Sequence, residues 1–250
     1  MADQPTRVAL ITGAAGAIGG ATARRLAQDG FALALADLWP AGVDVQLPAG
    51  LRLQLDVRSA DQVRTAVEAT LAAHGRIDVL VNVAGITSFG SAQQLEEVEW
   101  LRVLDINLSG TFRCCQAVMP AMRQQGHGRI VNLGSVLGKN GGNPRPWIAP
   151  SEQRDSGNVA YGVSKAGVHA MTAYLARELA SAGITVNAIA PGPVASSMTT
   201  NLSPTIRALI PVGRMGTPED VAATVAFLAS DSAGFITGEV IDVNGGMWCD

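Results

Sequence analysis

Seven short apolar runs recur along this chain, and the stretches between them carry helical periodicity. The runs are RVALIT (7–12), FALALA (31–36), LRLQLD (51–56), IDVLVN (77–82), GRIVNLG (128–134), ITVNAIA (184–190) and EVIDV (239–243). Most are continuously apolar rather than alternating, which is the pattern of a strand covered on both faces. Helices are predicted near 17–29, 59–74, 95–123, 158–181 and 218–229. Strands alternating with helices predict an α/β protein, a doubly wound parallel sheet of about seven strands whose ligands bind at the carboxyl ends of the strands. Residues 38–50 hold two prolines and two glycines, so no full helix is expected there.

No repeat, low-complexity tract or linker interrupts the pattern, so a single domain over 1–250 is expected. Hydrophobic residues make up 48% of the chain and charged residues 16%, enough apolar material for a sizeable core. A net charge of −3 argues against nucleic acid or an anionic membrane as the main partner. No apolar run approaches the roughly 18 residues of a membrane span, and the first residues contain no long apolar leader. A cytoplasmic location is the simplest expectation. Cys114 and Cys115 are adjacent and suit a helix interior, and Cys249 completes no ligand spacing. His74, His127 and His169 are scattered and read as structural, so no metal is expected. The acidic cluster Glu96, Glu97 and Glu99 opens a helix, where it suits the macrodipole.

The first strand runs into TGAAGAIGG (12–20), and a helix follows. Glycines at a strand-to-helix turn let the backbone approach a pyrophosphate, which then sits on free helix N–H groups. Asp37 ends the second strand, 18 residues after Gly19, where a carboxylate can hydrogen-bond ribose hydroxyls and would repel a 2′-phosphate. Leu38, Trp39 and Pro40 offer no cation for that phosphate, so NAD is expected in preference to NADP.

YGVSK places Tyr161 and Lys165 four residues apart, on one face of a helix. A phenol with a pKa near 10 is a poor base at neutral pH, and a nearby ammonium lowers it toward the useful range. Hydride transfer at a carbinol carbon requires a proton to leave or join the oxygen, and Tyr161 is the candidate for that proton. Ser135 follows the fifth strand, at the sheet edge where active sites collect.

TGAAGAIG resembles the TGxxx[AG]xG cofactor motif of the short-chain dehydrogenase/reductase family, with Ala17 in the slot often held by glycine. The likeness covers nearly the whole chain and implies a Rossmann-type domain. It implies cofactor contacts at Gly13, Ala17, Ile18 and Gly19, and at Asp56 and Val57, which look like the adenine pair. NVAG (82–85) resembles the family's NNAG, which adds Asn82, Ala84 and Gly85. PGPV (191–194) resembles the segment beside the nicotinamide, adding Pro191, Gly192 and Val194, with Ser196 where a threonine often contacts the carboxamide. The resemblance makes Asn107, Ser135, Tyr161 and Lys165 the catalytic set. Ser135 would hold the substrate oxygen, and Asn107 a water that relays protons from Lys165. It also implies a homotetramer built through the helices at 95–123 and 158–181.

Tyr161 stands 26 positions after Ser135, a wider gap than is usual in the family, so an insertion over about 138–157 is expected to wall the pocket or reach a neighbouring subunit, with an inert surface loop as the alternative. The segment 194–216 is apolar enough to cover a partly hydrophobic substrate. Trp147, Met198 and Leu202 are the candidate substrate-lining residues. The expected activity is NAD-dependent oxidoreduction of a small secondary alcohol or ketone. Reduction of a 3-oxoacyl or other carbonyl group is the alternative, and a catalytically idle NAD-binding regulator is the rival from another class. The family's 3-oxoacyl-acyl-carrier-protein reductases usually take NADPH and need a basic docking patch. Asp37 and the lightly basic stretch 122–130 tell against that group.

Overall fold

The computed structural model describes residues 6–39, 46–142, 150–154, 156–195 and 204–249. Seven strands form one parallel sheet: β1 (Val8–Thr12), β2 (Ala32–Asp37), β3 (Leu51–Gln54), β4 (Val79–Asn82), β5 (Gly128–Leu133), β6 (Ile184–Pro191) and β7 (Val240–Val243). Their order is β3-β2-β1-β4-β5-β6-β7. The chain winds outward from β1 in one direction and, after β3, crosses back to β4. The topological switch, where such sheets bind ligands, therefore lies between the carboxyl ends of β1 and β4.

Period-two alternation sends neighbouring residues of each strand to opposite faces. Ile11, Leu33, Leu35, Val79, Val81 and Val131 pack on one side with Leu26 of α1 (Ala17–Gln28) and Val221, Val225 and Leu228 of α9 (Pro218–Ala229). Leu10, Ala34, Leu80, Ile130 and Val186 pack on the other. There they meet Val63 and Val67 of α2 (Ala60–His74), Cys114, Cys115 and Val118 of α4 (Thr111–Gln125), and Leu175 and Leu179 of α7 (Val159–Leu179). Both buried cysteines act as small apolar groups, and burial pushes the Cys114 thiol up to about 12. Local signals set the helix ends. Ser59 caps α2 by accepting from Gln62 N, and Gly75, at φ +75°, ends it. Thr217 and Asp220 form a capping box at the start of α9.

The helix predicted over 95–123 is not uniform. It runs as α3 (Glu97–Leu104), a π-helical segment (Asp105–Gly110) and α4. A wider turn accommodates the inward pull on Asn107 and the close approach of Gly110, where a side-chain carbon would fall 2.6 Å from Val57 Cγ2. Two short helices, α5 (Leu137–Asn140) and α6 (Pro150–Arg154), lie within the expected insertion, and α8 (Pro204–Ala208) lies in the covering segment. Trp147, Ser196, Met198 and Leu202 fall outside the described residues. No described helix is long and apolar enough to cross a membrane.

Candidate active site

The loop after β1 is built for close approach. Gly13 has φ +68°, and a side-chain carbon there would meet Ala84 N at 2.6 Å. A carbon on Gly19 would lie 2.1 Å from Gly13 O, so the first turn of α1 packs directly against the loop. Gly16 caps α1 without a side-chain hydrogen bond, and no acidic residue occupies the first turn. The N–H groups around Ala17, Ile18 and Gly19 are thus offered to an anion, the arrangement a pyrophosphate fits. Thr12 Oγ accepts the N–H groups of Val83 and Ala84 at 3.2 and 3.3 Å, which ties the β1 loop to the one after β4.

Asp37 does not present a bare carboxylate at the end of β2. Its Oδ2 accepts the Ala15 N–H at 2.8 Å and its Oδ1 accepts the Leu38 N–H at 2.7 Å. The side chain braces the phosphate loop. The guanidinium of Arg52, from neighbouring β3, stands 5.2 Å over the Trp39 ring, bringing a cation near this end of β2 that the local sequence does not reveal. Asp56 is held by Arg58, with contacts at 2.6 and 3.0 Å that lower its carboxyl pKa. Val57 is buried beneath Gly110. The Asn82 amide points into the protein, donating to Asn132 Oδ1 at 2.9 Å and to Cys115 Sγ at 3.3 Å. Asn82 therefore shapes the strand ends, and the loop after it offers backbone.

At the carboxyl edge of β4, β5 and β6 lies a cavity of about 260 Å³, whose lining includes Gly85, Ser135, Tyr161, Lys165, Gly192 and Val194. Ile18 of α1 reaches it too, so the anion loop and the proton-bearing groups share one space. α7 carries Tyr161 and Lys165 one turn apart. Lys165 Nζ donates to the Leu133 carbonyl at 2.7 Å and sits 5.8 Å from the Tyr161 ring centroid. Burial pulls the Lys165 pKa down to about 8. Ser135 Oγ accepts the Leu137 N–H at 3.1 Å. Burial raises the Tyr161 pKa, and a hydrogen bond with the Ser135 side chain opposes the rise. The lowering expected from Lys165 is not what the chain alone produces, because the ammonium is drawn to Leu133 and the phenol is desolvated.

Asn107 is fully buried. Its Oδ1 accepts the Ile86 N–H at 2.8 Å, and its Nδ2 donates to Ile86 O at 2.9 Å and Ser164 Oγ at 3.0 Å. Gly85 lies between Asn107 and Lys165: a side-chain carbon there would be 3.2 Å from Asn107 Oδ1 and 3.6 Å from Lys165 Nζ. The segment expected as an insertion returns to the site at Ser156 and Gly157, which line the cavity together with Gly142. Gly157 bridges Phe89, and Gly90 N donates to Ser156 O at 3.1 Å. The covering segment is closed at its base by the Val194–Gly216 bridge, and Ile206 of α8 faces the cavity.

Two residues at the site were not read as functional from sequence. Asn158 caps α7 by accepting from Tyr161 N at 3.3 Å, and its Nδ2 donates to Ser88 Oγ at 2.8 Å and Phe89 O at 3.1 Å. An Asn directly before a predicted helix was the available signal. His169 contacts Ser135, and its spacing of one turn from Lys165 was the corresponding clue.

A doubly wound sheet with a glycine cradle at its switch point and a Ser–Tyr–Lys cluster beside it defines a dinucleotide-dependent oxidoreductase, and the chain belongs to the short-chain dehydrogenase/reductase family. The family model described as enoyl-(acyl carrier protein) reductase matches residues 13–248. The 3-oxoacyl-(acyl-carrier-protein) reductase FabG of Staphylococcus aureus (strain Mu50) is 41% identical, covering 97% of this chain and 98% of that protein. The FabG of Thermotoga maritima is also 41% identical, over 96% of this chain and 97% of its own length. The solved structure titled "Crystal structure of gox2181" superposes with a TM-score of 0.86 at 35% identity, covering 98% of this chain and 96% of that one.

These relatives overturn the expected preference for NAD over NADP. They bear the name of the group that, within the family, usually takes NADPH. Two features of the structure bear on that expectation: each Asp37 oxygen already accepts a backbone N–H, and Arg52 over Trp39 brings to this end of β2 a cation that residues 38–40 lack.

Proposed function

We propose that this chain catalyses carbonyl–alcohol oxidoreduction on a partly apolar substrate, with a 3-oxoacyl thioester or a similar β-oxo compound as the substrate class. The observation that carries the reading is the placing of Ser135, Tyr161 and Lys165 along one cavity that also receives Ile18 of the anion-binding helix. A bound nicotinamide dinucleotide supplies or accepts the hydride. The chain's own residues handle the oxygen and its proton. Ser135 and Tyr161 hold the substrate oxygen, and the Tyr161 hydroxyl gives up or receives the proton. Lys165, buried and close to its titration point, supplies positive charge beneath the phenol as phenolate develops. Asn107 fixes the loop at Gly85 and Ile86, which keeps the space between its amide and Lys165 free of side-chain atoms.

The family relatives named as acyl-carrier-protein reductases support the β-oxo acyl substrate class. The retained chemistry at Asn107, Ser135, Tyr161 and Lys165 weighs against an idle dinucleotide-binding regulator. Exposed Val98 and Leu101 on α3 and Tyr174 on α7 support assembly through these helices, so a cytoplasmic homotetramer is part of the proposal. Sedimentation analysis tests the assembly. The activity test follows reduced-nicotinamide absorbance with 3-oxoacyl thioesters, simple ketones and secondary alcohols, using NADH and NADPH in parallel. Turnover of the thioesters that falls at least about a hundredfold in Tyr161→Phe is expected. Tight dinucleotide binding with no turnover across the panel sinks the reading in favour of the regulator.

A further inference from the structure

Where β5 ends, the backbone N–H groups alternate in direction. Gly134 N donates to Ile189 O at 2.8 Å and Val136 N to Pro191 O at 3.0 Å, both on β6. The Ser135 N–H between them lies beyond the β4–β5 pairing, which stops at Asn82 and Asn132. Its acceptor is the imidazole of His169, with Nε2 at 3.4 Å.

The ring has been given room to be there. A side-chain carbon on Gly134 would lie 2.1 Å from His169 Nε2, and one on Gly138 would lie 3.0 Å from Cε1. Two glycines, one on each side of Ser135, leave a slot that the ring fills. His169 also follows Lys165 by one helical turn, as Lys165 follows Tyr161. One face of one rigid helix thus carries Tyr161, Lys165 and His169 in a row.

We propose that His169 is a positioning residue that ties Ser135 to α7 and so fixes the separation of Ser135 from Tyr161. This rests on the reading of Ser135 as a group that holds the substrate oxygen. A main-chain N–H cannot reverse its polarity, so the nitrogen facing it presents a lone pair and the neutral ring carries its proton on Nδ1. With its N–H held by His169 and its Oγ accepting from Leu137 N, Ser135 is anchored at two points. Its hydroxyl hydrogen and remaining lone pair stay available to Tyr161 and substrate. Sequence analysis reads His169 as structural. The geometry assigns it a mechanical part in catalysis without contact to substrate.

Two measurements test this. In two-bond proton–nitrogen spectra of the labelled protein at neutral pH, the His169 ring, assigned by its loss in His169→Gln, is expected as the Nδ1–H tautomer. An Nε2–H tautomer or an imidazolium overturns the contact. In kinetics, His169→Leu keeps the bulk and removes the acceptor. It is expected to lower kcat about fivefold to tenfold with dinucleotide Kd unchanged. His169→Gln, which restores an acceptor, should recover at least half of that loss. Gly134→Ala, which displaces the ring from its slot, should repeat the kcat loss. Full kcat in His169→Leu, or no recovery in His169→Gln, overturns the inference. Ser135→Ala is measured alongside: if it is inactive while His169→Leu is fully active, only the role of His169 fails. Full turnover in Ser135→Ala instead removes the underlying reading, and the functional part of this inference with it.

Discussion

Lys165 Nζ lies 2.7 Å from the carbonyl oxygen of Leu133, the last residue of β5, and 5.8 Å from the centroid of the Tyr161 ring. The ammonium is bonded to the sheet edge and lies beside the phenol without a hydrogen bond to it. Burial lowers its pKa from the ordinary 10.5 to about 8. Between those two pH values the unfolded chain still binds a proton that the folded chain has released, so this group makes stability rise with pH across that window. Below about pH 8 both states are charged, and the folded state bears the full penalty, about 3 kcal/mol. Tyr161, with its pKa raised, acts in the opposite sense above pH 10. Urea unfolding of Tyr161→Phe is therefore expected to show a rising stability between pH 8 and 10.5, and adding Lys165→Met should flatten that rise. Equal slopes in the two proteins would count against a buried, destabilised ammonium.

Gly19 has no room for a side chain, since a carbon there would lie 2.1 Å from Gly13 O. Relieving the clash must move the loop away from the first turn of α1, which removes the anion cradle. Gly19→Ala is expected to weaken dinucleotide binding at least tenfold in a fluorescence titration and to lower Tm by several degrees. An unchanged Kd would mean that the phosphates do not rest on this turn.

Asn158 joins the start of α7 to the pocket wall at Ser88 and Phe89. Asn158→Ala removes both the cap and the link, and should cost about 1 kcal/mol or more of folding stability. Asn158→Asp keeps a good cap and loses the two donors. It should recover part of that stability while raising KM for the carbonyl substrate about threefold or more. If the aspartate variant shows a wild-type KM, the wall does not depend on this link.

Asp220 closes the capping box of α9 and is gripped by Arg214 at 2.6 Å, with its pKa held down at about 2 against an ordinary 3.8. A depressed carboxyl adds stability that is complete above pH 3.8 and is lost as pH falls through 2. The acid unfolding curve of Asp220→Asn should thus lose part of its slope in that window. A parallel curve displaced by a constant amount would assign the cost to helix capping alone.

The gap between Ser135 and Tyr161 shows how far sequence reading carries. Spacing led to the expectation of an insertion here, and the structure returns the segment to the cavity at Ser156 and Gly157 through a bridge to Phe89. That bridge pairs residues about seventy positions apart, and no local pattern encodes it. The interruption of the third predicted helix by a π segment was equally invisible, because it arises from Asn107 reaching Ile86 and from Gly110 packing on Val57.

Hydrophobic periodicity determined the class of fold, the strand and helix series and the position of the glycine loop, because each depends on neighbours within a few residues. The motif spacings determined the family and the candidate proton-handling residues for the same reason. Tertiary structure alone decided what those groups face. Asp37 reads as a bare carboxylate until the loop folds back and Ala15 and Leu38 donate to its oxygens. Lys165 reads as a partner for the phenol until β5 offers it a carbonyl. His169 reads as an isolated helix residue until two glycines bring the Ser135 N–H to its ring. Hydrogen-bond partners and desolvation depend on which distant segments meet, and that is settled only when the whole sheet has assembled.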